Sequence, residues 1–199
     1  MNFILVLILI ILLLILAMAS MVAVIYNRLV TLKNRFKNAF SQIDVQLRRR
    51  YDLIPNIVNA AKAYLKHESQ TLEAVTEARA KATGAQVSLN GDPTQLSALN
   101  QLVAADGQLT SALGRLLVSM EAYPELKADQ TISEVREELA TTENRIAFAR
   151  QAYNDAVMYY NEAREKFPAV LFSEMFGFGL AEFWVIDEAR AAVPPTAEF

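Results

Sequence analysis

From Phe3 to Tyr26 the chain runs through Leu, Ile, Val, Met, Ala and Phe, with Ser20 as the one notably polar side chain. As a helix rising about 1.5 Å per residue, such a run covers roughly 36 Å, enough for a hydrocarbon core of about 30 Å. A cleaved signal peptide would carry a basic residue ahead of a shorter apolar core, and here only the amino terminus precedes the run, so a retained membrane span is expected. Arg28, Lys33, Arg35, Lys37, Arg48, Arg49 and Arg50 follow it against Asp44 alone. The positive-inside rule then puts the N-terminus outside and the remaining domain in the cytoplasm, at the cytoplasmic (inner) membrane.

Beyond the run, Leu29, Leu32, Phe36, Phe40, Ile43, Leu47, Tyr51, Ile54, Val58, Ala61 and Leu65 recur at three- and four-residue steps, one apolar face of a helix in need of partners. The spacing predicts a single helix over Asn27–Ala82, continuous with the span. Pro55 removes a backbone donor and crowds the carbonyl of Tyr51, so it bends that helix without reversing it. Thr83 to Gly91 reads as a loop. Asp92-Pro93-Thr94-Gln95 then reads as a helix start, with Asp92 as N-cap.

Leu99, Leu102, Asp106, Leu109, Leu113, Leu116, Met120 and Tyr123 form the next stripe, in which Asp106 is the one polar intruder, and Pro124 ends that helix. Thr131 with Glu134 reads as a capping box ahead of Ile132, Val135, Leu139, Thr142, Ile146, Ala149, Tyr153, Ala156, Tyr160 and Ala163, again at coiled-coil spacing. With no strand signal of useful length, the fold class is all-α. A transmembrane helix (1–26) continues into an antiparallel bundle of three to four helices (27–166), followed by an aromatic-rich segment (167–199) with a short amphipathic C-terminal helix. If Asn27–Ala82 rises as one helix, chain arithmetic leaves Phe167 near the distal end of the bundle, far from the span.

Two polar sets accompany the first apolar face. Gln42, Gln46, Arg49 and Asn56 form a stripe beside it, as a register-setting network would, and Asp44, Arg48 and Asp52 form an i, i+4 charge ladder. The commoner reading of both is a solvated or bundle-lining face. Asn154 and Asn161, one heptad apart beside Tyr153 and Tyr160, fix register either within a bundle or between bundles. Residues 27–83 carry 11 Lys/Arg against 5 Asp/Glu, and residues 84–199 carry 8 against 17. That opposition favours packing the first helix on the later ones, or one copy on another.

The stretch Ser41-Gln-Ile-Asp-Val-Gln-Leu-Arg-Arg-Arg-Tyr-Asp-Leu-Ile-Pro-Asn56 resembles the LemA family. The resemblance continues through Tyr64, His67, Glu68, Thr71, Leu72, Ala78-Arg79, Glu121 to Lys127, Thr142-Glu143-Asn144-Arg145-Ile146, the Tyr-Asn pairs at 153 and 160, Phe167-Pro168 and Phe176-Gly-Phe178. Phe40 stands where the family pattern often has Trp, which keeps an aromatic ring. The resemblance implies a bacterial membrane-anchored antiparallel helical bundle with no established enzymatic activity.

The sequence assembles no catalytic constellation. Zero Cys removes thiol catalysis and zinc-thiolate sites, and a single His excludes a multi-histidine metal site. His67 and Glu68 are adjacent on a helix and point about 100° apart, so they do not act as base and orienter. Glu134, Glu137, Glu138 and Glu143 lack the Glu-x-x-His motifs of di-metal bundles. No phosphate-cradling loop is present, since Phe176-Gly-Phe-Gly179 follows no strand. A net charge of −3 and the absence of a recognition element argue against nucleic acid. No catalytic, cofactor or metal residues are assigned.

Two functions of different class remain: a self-associating homo-oligomeric scaffold that organises or shapes the membrane, and an adaptor presenting its bundle to a signalling or proteolytic membrane complex. Phe172, Phe176, Phe178, Phe183 and Trp184 crowd a tail too apolar for water. It is expected either to cap the bundle or to anchor on a neighbouring copy or a second membrane.

Overall fold

The computed structural model describes residues 2–65 and 68–185. Among them are six helices and no strand: α1 (Asn2–Lys62), α2 (Ser69–Leu89), α3 (Leu96–Glu121), α4 (Pro124–Ala128), α5 (Gln130–Glu165) and α6 (Val170–Ser173). α1 carries the apolar run and the first amphipathic stretch in one unbroken helix of 61 residues, with Pro55 inside it. The side chains from Phe3 to Leu16 are exposed, as expected of the one described helix that is long and apolar enough to cross a membrane.

The first departure from the sequence expectation comes at Lys62. The helix does not continue to Ala82; Ala63 and Tyr64 form a turn, the Leu65 N–H bonds back to the Ala61 carbonyl, and α2 returns along α1. No Gly or Pro marks this reversal. It follows from burial: Leu72, Val75, Ala78 and Ala82 form a stripe on α2 that leaves water by folding onto α1 and α3. Thr83 and Gly84 lie inside α2, because the buried positions continue through Gln86 to Leu89. Asn90 (φ 50°) and Gly91 (φ 71°) end the helix in left-handed conformations.

Asp92 is likewise not an N-cap. Its Oδ1 accepts from the Thr94 N–H (3.1 Å) and hydroxyl (2.8 Å) and pairs with Lys37 (3.0 Å), pinning the α2–α3 turn to α1, while the helix opens at Leu96. At the other end Asp129, not Thr131, caps α5, its Oδ1 accepting from the Ile132 N–H at 3.1 Å.

The result is an up-down-up-down four-helix bundle of α1, α2, α3 and α5. Every α3 stripe position from Leu99 to Met120 is buried, as are Ile132, Leu139, Thr142, Ile146, Tyr153, Ala156, Tyr160 and Ala163 on α5. Helix lengths decide what happens at the base. The part of α1 beyond Asn27 rises about 54 Å and the 36 residues of α5 descend about as far, whereas the 21 residues of α2 cover only about 32 Å. The α2–α3 hairpin therefore stops at the level of Lys37. Below it Leu29 and Phe36, and just above it Phe40, need another cover.

That cover is the tail, which overturns the expected distal position of Phe167. Four passes rather than three bring the end of α5 back to the span. Tyr26, the last residue of the apolar run, meets the rings of Phe176 and Phe178 edge-on, each at 5.4 Å between centroids. Gly177 (φ 72°) makes the sharp turn there, with the Phe178 N–H bonded to the Ser173 carbonyl at 2.8 Å. From Phe178 to Val185 the chain is extended and climbs the groove between α1 and α5. Residues 186–199 lie outside the described residues.

Candidate functional site

Two constructions stand out among the polar side chains, a clamp on α5 and a buried charge cluster at mid-bundle. The clamp explains the repeated Tyr-Asn pairs. Asn161 accepts from the Ala181 N–H (3.0 Å) and donates to the Ala181 carbonyl (2.9 Å). One heptad earlier, Asn154 does the same to Trp184, at 2.8 and 3.1 Å. The Tyr160 hydroxyl donates to the Gly179 carbonyl, the Tyr153 hydroxyl to the Glu182 carbonyl, both at 2.8 Å, and Arg164 Nε to the Phe178 carbonyl at 2.7 Å.

The extended segment 178–185, a strap laid beside α5, has no backbone ladder, so its buried N–H and C=O groups need side-chain partners. Five α5 residues on one face supply them. Burial holds the Tyr153 phenol well above its ordinary range, with Glu182 adding to the effect, and raises Tyr160 as well. The Tyr-Asn pairs thus set register within one chain, between α5 and the strap.

The tail aromatics divide accordingly. Phe178 and Trp184 are buried, Trp184 against Phe40 (6.3 Å), which itself meets Tyr153 at 5.9 Å. Phe172 is half-buried and stacked on Phe176 at 6.4 Å, whereas Phe176 and Phe183 remain exposed.

The charge cluster centres on Arg50, a residue the polar-stripe reading missed in favour of Arg49. Its guanidinium is 1% exposed; Nη2 donates to Asp106, and Nη1 to Glu143 (2.5 Å) and to the Thr110 hydroxyl (3.3 Å). The Tyr51 hydroxyl also donates to Asp106, at 3.2 Å. Burial pushes the Tyr51 phenol up to about 12, with Arg50 opposing and Asp44 adding. Three helices are thereby keyed to one another at one level.

Around this core the other sequence candidates take structural parts. Asp44 is buried, accepts from Gln86 at 2.7 Å and pairs with Arg48 at 2.7 Å, while Arg79 Nε donates to the Tyr51 carbonyl at 2.6 Å. The Gln86 and Arg79 bonds tie α2 to α1. Arg49 pairs with Glu138 on α5 at 2.6 Å. Gln42, Asp52, Asn56 and Asn144 face outward, Gln46 is half-buried, Pro55 lies within α1, and the Glu68 carbonyl accepts the first α2 amides. His67 lies outside the described residues. The ladder expected of Asp44, Arg48 and Asp52 thus keeps its first rung.

Two surface hollows complete the picture. At the base, Arg28, Leu32 and Arg35 of α1 face Tyr159, Glu162 and Ala163 of α5 and Lys166 across a cleft of about 160 Å³. On the opposite side, a larger cleft of about 820 Å³ runs between α2 and α3, lined by small residues such as Ala74, Ala78, Ala104 and Gly107, with Glu143, Arg150 and Val185 at its edge.

The chain is 29% identical over 177 residues to Magnetosome protein MamQ 2 of Paramagnetospirillum magneticum, an alignment covering 80% of this chain and 64% of the relative. It is 26% identical over 174 residues to Magnetosome protein MamQ of Magnetospirillum gryphiswaldense, with the same two coverages of 80% and 64%. To Protein LemA of Metamycoplasma hominis it is 26% identical over 135 residues, 68% of this chain and 57% of that one. The chain thus spans less than two thirds of the length of these relatives. The LemA family itself matches residues 39–199, a range that takes in Phe40, the charge cluster and the clamp, and the chain belongs to the LemA family.

Proposed function

We propose that this protein is a membrane-anchored helical scaffold that associates with copies of itself and organises or shapes the bacterial inner membrane. The observation that carries the reading is the continuity of α1, one helix from the apolar run into the bundle core, so that no flexible linker separates span from bundle. Bundles so held present their flanks to one another, and Phe148 (74% exposed) on α5, Val118 (69%) on α3 and Val87 (72%) on α2 lie on those flanks. Similarity to proteins named for the magnetosome accords with an assembly role. The basic cluster after the span orients the bundle to the cytoplasm.

The test is the size of the full chain in mild detergents, measured by light scattering and imaging. A large homogeneous assembly that shrinks on Phe148→Asp is the expected result; a monomer across several detergents overturns it. A second reading, an adaptor for a membrane-protein partner, draws on the cleft of about 820 Å³ between α2 and α3, where an added helix or peptide would lie against small side chains. Small particles that gain stoichiometric partner on extraction would favour it.

A further inference from the structure

Leu171 and Met175 are 64% and 69% exposed, Phe167 80% and Leu180 54%, all on the short turn around α6. This turn is not at a random place on the bundle. The rings of Phe176 and Phe178, on the same turn, pack edge-on against Tyr26, where the apolar run of α1 ends. Lys33 Nζ lies 5.8 Å from the centroid of the Phe178 ring, so cationic side chains border the same level. The base cleft adds Arg28, Arg35 and Lys166 around a single carboxylate, Glu162, which already bonds Lys166. Apolar side chains grouped beside basic ones, at the height where a membrane span emerges, match the boundary between acyl chains and anionic headgroups.

We propose that the base of the bundle is a second membrane contact, made with the same leaflet from which α1 emerges. Phe167, Leu171 and Met175 enter the acyl boundary, and the Arg28–Arg35–Lys166 cleft takes the phosphate of an anionic lipid. The strap then has a double task, since it closes the groove between α1 and α5 and holds this collar against Tyr26. With two points of attachment the bundle cannot swivel about α1, which fixes its tilt to the bilayer.

The inference rests on the anchored reading above, and the experiment separates the two. The full chain has no cysteine, so Leu171→Cys, Met175→Cys, Val118→Cys and Leu9→Cys variants each carry one spin label. They are reconstituted into phosphatidylcholine vesicles with and without phosphatidylglycerol. The ratio of oxygen to nickel-chelate accessibility is expected to be several-fold higher at 171 and 175 than at 118, approaching that at 9. Water-like ratios at 171 and 175 with a lipid-like ratio at 9 overturn the collar while leaving the anchor intact; a water-like ratio at 9 removes the anchor itself. Labels at 171 and 175 shielded from both reagents mean that a second copy covers the surface, and also overturn the proposal. For the cleft, spin-labelled phosphatidylglycerol should be immobilised several-fold more than phosphatidylcholine, and Arg28→Gln/Arg35→Gln/Lys166→Gln should abolish the difference. Unchanged lipid preference in that variant overturns the phosphate site.

Discussion

The Arg50 guanidinium on α1 donates to the Asp106 carboxylate on α3, and both side chains are 1% exposed at the centre of the bundle. A charge in that position costs several kcal/mol to desolvate, which only a close partner and further hydrogen bonds offset. Thr110, Tyr51 and Glu143 supply those bonds. Such a pair constrains register strongly, because sliding either helix by one turn strands a charge in an apolar core.

Breaking the pair from one side should therefore be severe. Arg50→Ala or Asp106→Ala is expected to lower the stability of the full chain in detergent by about 3–5 kcal/mol, since each leaves one buried charge uncompensated. The double replacement Arg50→Met/Asp106→Leu should recover most of that loss. Denaturant unfolding followed by far-ultraviolet circular dichroism measures both. Single variants within about 1 kcal/mol of the parent, the scale of a surface pair, would sink the idea.

Most of the core was legible in the sequence, and the failures have physical causes. The α3 and α5 stripes were readable because heptad spacing reports burial directly, and Asp106 announced itself as the polar intruder among leucines. The turn after Lys62 was not, since no Gly or Pro produces it and only the tertiary burial of Val75 and Ala82 rewards it. Gly84 misled in the opposite direction, because its low helix propensity is outweighed by the packing of its neighbours. Arg50 was hidden among three consecutive arginines, which differ only in the face to which 100° per residue carries them. The strap has no local signature at all, as its bonds run to α5. Its available signal was the Tyr-Asn repeat, whose partner could not be identified from spacing.

The buried phenols give the bundle an alkaline limit. Tyr51 is pushed by burial from its ordinary 10 up to about 12, and burial raises Tyr153 and Tyr160 as well. A phenol with a raised folded value binds its proton more tightly when folded. Its contribution is thus fully present below pH 10 and is lost as pH rises toward about 12. Helicity should fall in that window together with the appearance of phenolate absorbance from these residues, and Tyr51→Phe combined with Tyr153→Phe should make the alkaline limb shallower. Phenolate absorbance from them that precedes any loss of helicity would show that they are not shielded.

The strap can be released without unfolding the helices, because its attachment is a set of side-chain bonds and not part of any helix. Asn154 and Asn161 each make two hydrogen bonds to its backbone, at Trp184 and Ala181, and a neutral bond of this kind is worth about 1 kcal/mol net. Losing both asparagines also leaves the strap amides buried without partners, which raises the cost of the closed position. Opposing release beyond Gly179 are the buried ring of Trp184, contributing about 1.5–3 kcal/mol, and the Tyr153 hydroxyl bond to the Glu182 carbonyl. Asn154→Ala or Asn161→Ala alone should therefore loosen the strap, and the double variant should free it beyond Gly179. Trp184 is the chain's single tryptophan, so its emission reads the event directly. A red shift with new iodide quenching is expected in the double variant, at constant helical circular dichroism, together with protease cleavage between Gly179 and Val185. Once free, the strap uncovers Phe40 and the Tyr153 ring in the groove between α1 and α5. Apolar rings so uncovered draw in another segment, so the double variant should also change assembly size. Emission of Trp184 that stays blue and unquenched in the double variant would mean that ring burial alone holds the strap and the asparagines set only its register.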